Sequence, residues 1–320
     1  MRRFEDNLSP DYPVNVILLG AANRVQSVKY LRAAARNLGF SLAIHSVERS
    51  SSHHYPIAHE ARVIAGPNFD SERAMSFLDS LVEDYDQPII VPFMDSAAVM
   101  LATWGEVRNY QQAVVSPDSL KLSDKAQLKV FARDLNVPVV PNTDGRFPKI
   151  VKRSTGYGSR FQWIASDESE LATIRSINSD SIVEDFLNGT ESTVDVYVSR
   201  AGHVVQMVAR DRLSVEAGEV THTRTRHADK FEFECCIKLL TGGWRAKGPI
   251  CYQFLLTEGR KLLLECNPRF AGGSTASMAA GWSAWSWILM EYVAGKPAIG
   301  SSLEHVDVVR SRVDHIWRVQ

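Results

Sequence analysis

Lys261-Leu-Leu-Leu-Glu265-Cys-Asn267-Pro-Arg269-Phe-Ala-Gly272-Gly273-Ser274 is an apolar run that ends in three regularly spaced polar residues. Leu262 to Leu264 predict a fully buried strand. Side chains two apart share one strand face, so Glu265, Asn267 and Arg269 should point the same way. A direct Glu265–Arg269 ion pair is the simplest structural alternative, but four residues at about 3.3 Å each set them about 13 Å apart. The oxygens of a carboxylate and an amide suit Mg²⁺, and a guanidinium fork suits phosphate. Cross-strand partners or bulk water could satisfy the same three groups, so this stretch alone leaves a metal–phosphate site and a structural role both open.

A chain of 320 residues exceeds the usual size of one hydrophobic core, so two or three lobes are expected. Hydrophobic residues at 45% and charged residues at 23% are those of an ordinary globular protein. The 36 basic and 37 acidic residues nearly cancel, and a net charge of −1 argues against nucleic acid or an anionic membrane as partner. Met-Arg-Arg-Phe-Glu-Asp has no apolar leader pattern, and no apolar run reaches 18 residues, so a cytoplasmic location is expected. The four cysteines, Cys235, Cys236, Cys251 and Cys266, fit neither a zinc knuckle nor a disulfide framework and read as small buried hydrophobes.

Val14 to Gly20 predicts a buried strand, Val25 to Leu38 a helix ending at Gly39, and Phe40 to Val47 the next strand. That order opens a doubly wound α/β domain. Its first turn, Gly20-Ala-Ala-Asn-Arg24, has one glycine where a dinucleotide fingerprint needs three, so a tight turn is favoured over NAD binding. Pro88 to Met94 predicts a further strand, with Asp95 capping a helix to about Trp104 rather than facing a substrate. This first domain ends near Ser116-Pro117.

Ser123 or Asp124 caps an amphipathic helix that starts at Lys125 and runs to Leu135. Pro148 to Lys152 predicts a strand leading into a loop with Gly156 and Gly158; such a loop closes over phosphates or simply turns a hairpin. Ser181 to Leu187 is the next strand, and alternating segments around Arg200-Ala-Gly202 and around Thr257 to Arg260 form antiparallel hairpins. His222, Arg224 and Arg226 share a strand face that suits an anionic substrate or plain solvation. The Trp-rich segment from Ala276 to Val293 reads as buried helix, packed on the sheet or on a second subunit, which leaves a homodimer open.

Taken in order, Asp124-Lys125, Lys152 with its glycine loop, Glu184-Asp185-Phe186-Leu187, Glu191, Gln253 and Glu265-x-Asn267-x-Arg269 resemble the ATP-grasp superfamily. The resemblance is closest to the branch similar to the carbamoyl-phosphate synthase large subunit and other carboxylate–amine ligases. It implies an α/β, Rossmann-like pre-ATP-grasp domain over residues 1–115 and a two-lobed, α+β grasp, with the small lid lobe over 116–183 and the C-terminal, metal-binding lobe over 184–320. It further implies ATP held by Lys125, Lys152, Gly156, Gly158, Glu184, Asp185, Phe186, Leu187 and Glu191. Mg²⁺, or Mn²⁺ in its place, would be bound by Gln253, Glu265 and Asn267. Catalysis would fall to Arg269, Lys152 and Arg210, and a small-molecule substrate to Arg224, Arg226, Gly272, Gly273 and Ser274.

The implied reaction phosphorylates a carboxylate to an acyl phosphate that an amine then attacks, giving an amide, ADP and phosphate, on amino-acid-like substrates. Arg153 and Arg160 depart from the resemblance, standing where relatives often have Pro and Gly. Two other classes compete: an NAD-linked oxidoreductase using the first domain, and a nucleotide-binding regulator whose grasp no longer turns over.

Overall fold

The computed structural model describes residues 13–49, 55–156, 162–216 and 219–311. Gly158, in the glycine loop, lies outside them. Strands β1 (Val14–Leu19), β2 (Leu42–Glu48), β3 (Arg62–Ala65) and β4 (Ile89–Pro92) form a parallel sheet in the order β3-β2-β1-β4. Helix α1 (Val25–Leu38) connects β1 to β2, α2 (Arg73–Glu83) connects β3 to β4, and α3 (Asp95–Arg108) follows β4. Val16–Leu19 of β1 and Ile89–Val91 of β4 are continuous buried apolar runs because helices cover both faces, as the parallel arrangement requires. Val28 and Leu31 of α1 bury against one face; Leu78 of α2 and Leu101 and Trp104 of α3 bury against the other.

Next come α4 (Ser119–Ser123) and α5 (Lys125–Asp134), where one amphipathic helix from Ser123 to Leu135 was expected. The break falls at Asp124, whose carboxylate caps α5 by accepting from the N–H groups of Ala126 and Gln127. Strands β5 (Lys149–Arg153), β6 (Gln162–Ala165) and β7 (Ser181–Asp185) form a small antiparallel sheet in the order β6-β5-β7, with α6 (Glu168–Ile177) packed on it.

The largest sheet is antiparallel and six-stranded. Its elements are β8 (Thr190–Val198), β9 (Val204–Glu216), β10 (Glu219–Arg226), α7 (Lys230–Thr241), β11 (Gly248–Thr257), β12 (Arg260–Asn267), α8 (Ser274–Ala279), α9 (Ala284–Tyr292) and β13 (Asp307–Val309). The strands lie in the order β12-β11-β8-β9-β10-β13. Helices α5 and α7 cover one face through Leu128, Cys236 and Leu239, against Tyr252 and Phe254. On the other face, Trp282, Trp285 and Trp287 join a core shared with α1 and the parallel sheet. The Trp285 indole donates to the Ser27 hydroxyl at 3.1 Å. Of the two alternatives for the Trp-rich segment, packing within the chain accounts for its burial. All four cysteines are buried and unpaired, as expected, and burial pushes their thiols above the ordinary range.

The β11–β12 hairpin carries one irregularity that sequence periodicity could not show. Gln253 pairs with Glu265 and Phe254 with Leu263, leaving Leu264 as an extra residue in β12. Such a bulge re-aims side chains locally. Here Leu264 and Glu265 both turn into the same cleft.

Candidate active site

The cleft lies between the small and large antiparallel sheets and is about 370 Å³ in volume. Its walls include Lys152, Glu184, Asp185, Phe186, Leu187 and Glu191, which are the candidate nucleotide residues, together with Gln253, Glu265 and Asn267 of the candidate metal set. Arg210, Arg269, Gly272 and Gly273 line it as well. Lys125 reaches in from the start of α5, where its ammonium lies 3.3 Å from Glu265 Oε2 and donates to the carbonyl of Gly156 at 3.0 Å. Residues from Lys125 to Gly273 are thereby brought to one site.

Burial alone would raise the Glu265 pKa, but the nearby Lys125 ammonium, a hydrogen bond from Asn267 and the charge of Lys152 together hold it below the ordinary carboxylate range. Glu265 is therefore ionised at neutral pH. At Lys152 the main effect runs the other way: burial lowers its pKa, Lys125 adds to that, and Glu265 and Glu191 oppose it. An anionic ligand entering the cleft would favour the charged form of this lysine.

The cleft floor is a continuous run of polar contacts. Arg212 Nη1 lies 2.8 Å from Glu191 Oε2 and donates to Gln253 Oε1 at 2.8 Å. Gln253 Nε2 and Asn267 Nδ2 donate to Glu265 Oε1 at 2.9 and 3.2 Å. Arg269 Nη2 donates to Asn267 Oδ1 at 3.1 Å. The expectation that Glu265 and Arg269 do not pair with each other holds, because Asn267 stands between them. Yet the Arg269 fork is already engaged, donating to both carboxylate oxygens of Asp95 at 2.7 and 2.8 Å.

Asp95 thus corrects the sequence reading. It is the first residue of α3, but its side chain makes no capping bond; it reaches across from the parallel sheet to pair with Arg269. The sequence ranked capping above a role at the cleft because Asp at a helix start is so often a cap.

Five further assignments also change. Arg224 is exposed and bound to Asp307, and Arg226 is held by Glu232 and Asp211; neither lines the cleft, because both extend from the face of β10 opposite the buried Thr223 and Thr225. Ser274 gives its hydroxyl to Asp195 at 3.1 Å and accepts from the Ala271 N–H, so it is committed to the turn before α8 and not to a substrate. Arg210 is fully buried and donates to Asp195 at 2.8 Å, so only the edge of its guanidinium reaches the cleft wall. The carboxylate of Asp185 is taken by Lys149 and Thr143, and the N–H groups of Asp185 and Phe186 by the carbonyls of Pro141 and Pro148. What this hinge presents to the cleft is the wall of Phe186 and Leu187.

Sequence reasoning also missed Lys129. It sits one helical turn after Lys125 and, with Lys152, closes on the buried carboxylate of Glu184, which is 2.6 Å from Lys152 Nζ. Burial, and behind it the charges of Lys152, Arg133 and Lys125, pushes the Lys129 pKa down. Its i, i+4 spacing from Lys125 was the available signal, masked by the ordinary use of lysine on solvated helix faces. Arg212 was recoverable from its spacing of two from Arg210 on one strand face.

The donor set fits a divalent ion that arrives with a nucleotide. Among the described residues no three His, Cys, Asp or Glu side chains gather into a site of their own. One carboxylate flanked by two amides is too little for a protein-only cage, but Mg²⁺ is commonly held by one or two carboxylates with phosphate oxygens completing its shell.

The three-sheet architecture, with a lysine-lined cleft between the two antiparallel sheets, is the ATP-grasp fold. Residues 178–313 match the family described as ATP-grasp in the biosynthetic pathway with Ter operon. No curated protein sequence matches the chain. Among solved structures it is similar to N5-carboxyaminoimidazole synthetase from Staphylococcus aureus complexed with ADP, at TM-score 0.70 and 16% identity, covering 93% of this chain and 84% of that one. It is similar to biotin carboxylase from Campylobacter jejuni in complex with a β,γ-ATP compound, at TM-score 0.67 and 17% identity, with coverages of 91% and 74%. The biotin carboxylase domain of 2-oxoglutarate carboxylase from Hydrogenobacter thermophilus, in complex with MgADP and bicarbonate, gives TM-score 0.70 at 17% identity, with coverages of 89% and 71%. At such identities the likeness is one of fold.

Proposed function

We propose that the protein is an ATP-dependent carboxylate–amine ligase that forms an amide through an acyl phosphate and releases ADP, with amino-acid-like substrates. The observation that carries this reading is the meeting of Lys125, Lys152 and the Gln253–Glu265–Asn267 set in one cleft, with Lys125 Nζ 3.3 Å from Glu265. ATP would lie with its base against Phe186 and Leu187 and its ribose toward Glu191. Its phosphates would lie along Lys152 and Lys125. Mg²⁺ on Glu265, with Gln253 and Asn267, would neutralise charge on the β- and γ-phosphates. In the first step a carboxylate oxygen attacks the γ-phosphorus and ADP leaves. In the second, the amine attacks the acyl carbon, loses a proton, and expels phosphate. The lysines and Arg269 act by position and charge, the main demands of phosphoryl transfer. The same reading takes the parallel sheet as the pre-ATP-grasp, Rossmann-like domain over residues 1–115, the lid lobe as 116–183 and the metal-binding lobe as 184–320.

The NAD-linked alternative loses its site on a specific contact. Glu48, buried at the end of β2, accepts hydrogen bonds from the backbone N–H groups of Ala21 and Ala22, the groups a pyrophosphate would need. A Cβ on Gly20 would also meet Met94, so the turn is filled from within the protein.

The test is to incubate the protein with ATP, Mg²⁺ and pools of carboxylic acids plus hydroxylamine, which captures acyl phosphates as hydroxamates. Acid-dependent ADP release with matching hydroxamate supports the reading. Nucleotide binding with no acid-dependent ADP in any pool would favour the regulator instead.

A further inference from the structure

Three guanidinium groups from distant parts of the chain converge on the turn after Arg269. Arg24 comes from the turn between β1 and α1, and its Nη1 lies 3.2 Å from where a Cβ on Gly272 would sit. Arg310, just past β13, donates from Nη2 to the carbonyl of Gly272. Arg210 packs so closely on Gly273 that a side chain there would collide with its Nη1. All three line the cleft beside Gly272 and Gly273, at the end that holds Glu265, Asn267 and Arg269. The two glycines leave this wall bare, with backbone and guanidinium edges in place of side chains. Planar forks are the preferred donors to carboxylate and phosphate oxygens, and one fork suffices for one carboxylate. The Arg210 fork is held by the buried Asp195 carboxylate and backs this wall, so the cationic groups that extend the cleft here beyond Arg269 come from Arg24, after the first parallel strand, and Arg310, in the C-terminal segment.

We propose that Arg24 and Arg310, on a wall backed by the buried Arg210–Asp195 pair, form an anion subsite on the substrate side of the cleft, so that the acid substrate carries a second anionic group besides the carboxylate that ATP activates. That second group is a carboxylate or a phosphate. The inference rests on the ligase reading for the position of the reacting carboxylate; the subsite itself rests on the cluster. The first βα turn, closed to dinucleotides by Glu48, thereby gains a use: it carries Arg24 to the cleft.

The test titrates the full-length protein by calorimetry with acetate, succinate and inorganic phosphate, each with and without Mg²⁺ and a non-hydrolysable ATP analogue. Succinate or phosphate should bind at least tenfold more tightly than acetate, and whichever is tighter identifies the second group. Arg24→Met and Arg310→Met should each weaken that anion about 10- to 100-fold, the loss expected for a charge-assisted hydrogen bond, with unchanged affinity for the ATP analogue. Equal affinity for all three anions overturns the subsite, as does anion affinity unchanged in both variants. Failure of the ATP analogue to bind would remove the ligase reading, while the nucleotide-free titration would still judge the subsite.

Discussion

Replacing Asp95 with Asn isolates the contact that ties the parallel sheet to the Arg269 end of the cleft. Asp95 accepts two hydrogen bonds from Arg269, at 2.7 and 2.8 Å, and both side chains are only 9% exposed. Removing one partner of a buried pair costs about 3–5 kcal/mol, because the remaining charge stays desolvated. Asn keeps one carbonyl acceptor, so the lower end, about 3 kcal/mol, applies. With an unfolding entropy of about 2.1 cal/mol/K per residue over 320 residues, the melting temperature should fall by about 4–5 °C. Scanning calorimetry on Asp95→Asn, Arg269→Gln and the double variant measures the coupling, and the double variant should be less destabilised than the two single losses summed. Acid-dependent ADP release should fall in Asp95→Asn as well, since Arg269 loses the partner that fixes its plane. A melting temperature within 1 °C of the parent, with full additivity in the double variant, would refute the argument.

Lys152→Met should weaken ATP binding by more than tenfold and leave Glu184 with Lys129 alone; unchanged ATP affinity in calorimetry would count against the phosphate role. Gly273→Ala should cost about 1–3 kcal/mol in urea unfolding, because its Cβ collides with the buried Arg210; a variant as stable as the parent would show that the guanidinium moves freely. Glu232 supplies a pH test. Burial acts to raise its pKa, but hydrogen bonds from Arg226, Lys261 and Ser192 hold it at about 2 in the folded chain, against an ordinary 4.5. A depressed carboxylate stabilises fully above about pH 4.5 and loses that contribution as pH falls from there toward 2, an effect of about 3 kcal/mol. Glu232→Gln should be less stable at pH 7 and show a flatter stability profile across that window; a profile parallel to the parent's would contradict the assignment.

The strands and most helices were legible because their signals are local. Val16 to Leu19 is a continuous apolar run, Leu262 to Leu264 likewise, and Arg200-Ala-Gly202 joins β8 and β9 as expected. Most of the cleft was also legible: Lys152, Glu191, Gln253, Glu265 and Asn267 lie together. Three-dimensional partnership was not. Asp95 and Arg269 are far apart in sequence, and an Asp at a helix start carries no mark that distinguishes a cap from a cross-sheet ion pair. Arg24 and Arg310 sit in irregular segments with no periodicity to interpret. The stripe of Arg224 and Arg226 had the right spacing for a shared face, but spacing does not say which face looks into the cleft. The bulge at Leu264 left no trace in the alternation of Leu262 to Cys266.

The central claim is that Glu265, with its flanking amides, holds the cation of a bound nucleotide between two lobes. The most direct measurement is the ATP affinity of the parent and of Glu265→Gln with and without Mg²⁺. The account predicts that Mg²⁺ tightens ATP binding in the parent by tenfold or more and that this gain disappears in the variant while ATP alone binds both equally. An identical Mg²⁺ gain in Glu265→Gln, or no ATP binding by the parent, would contradict it.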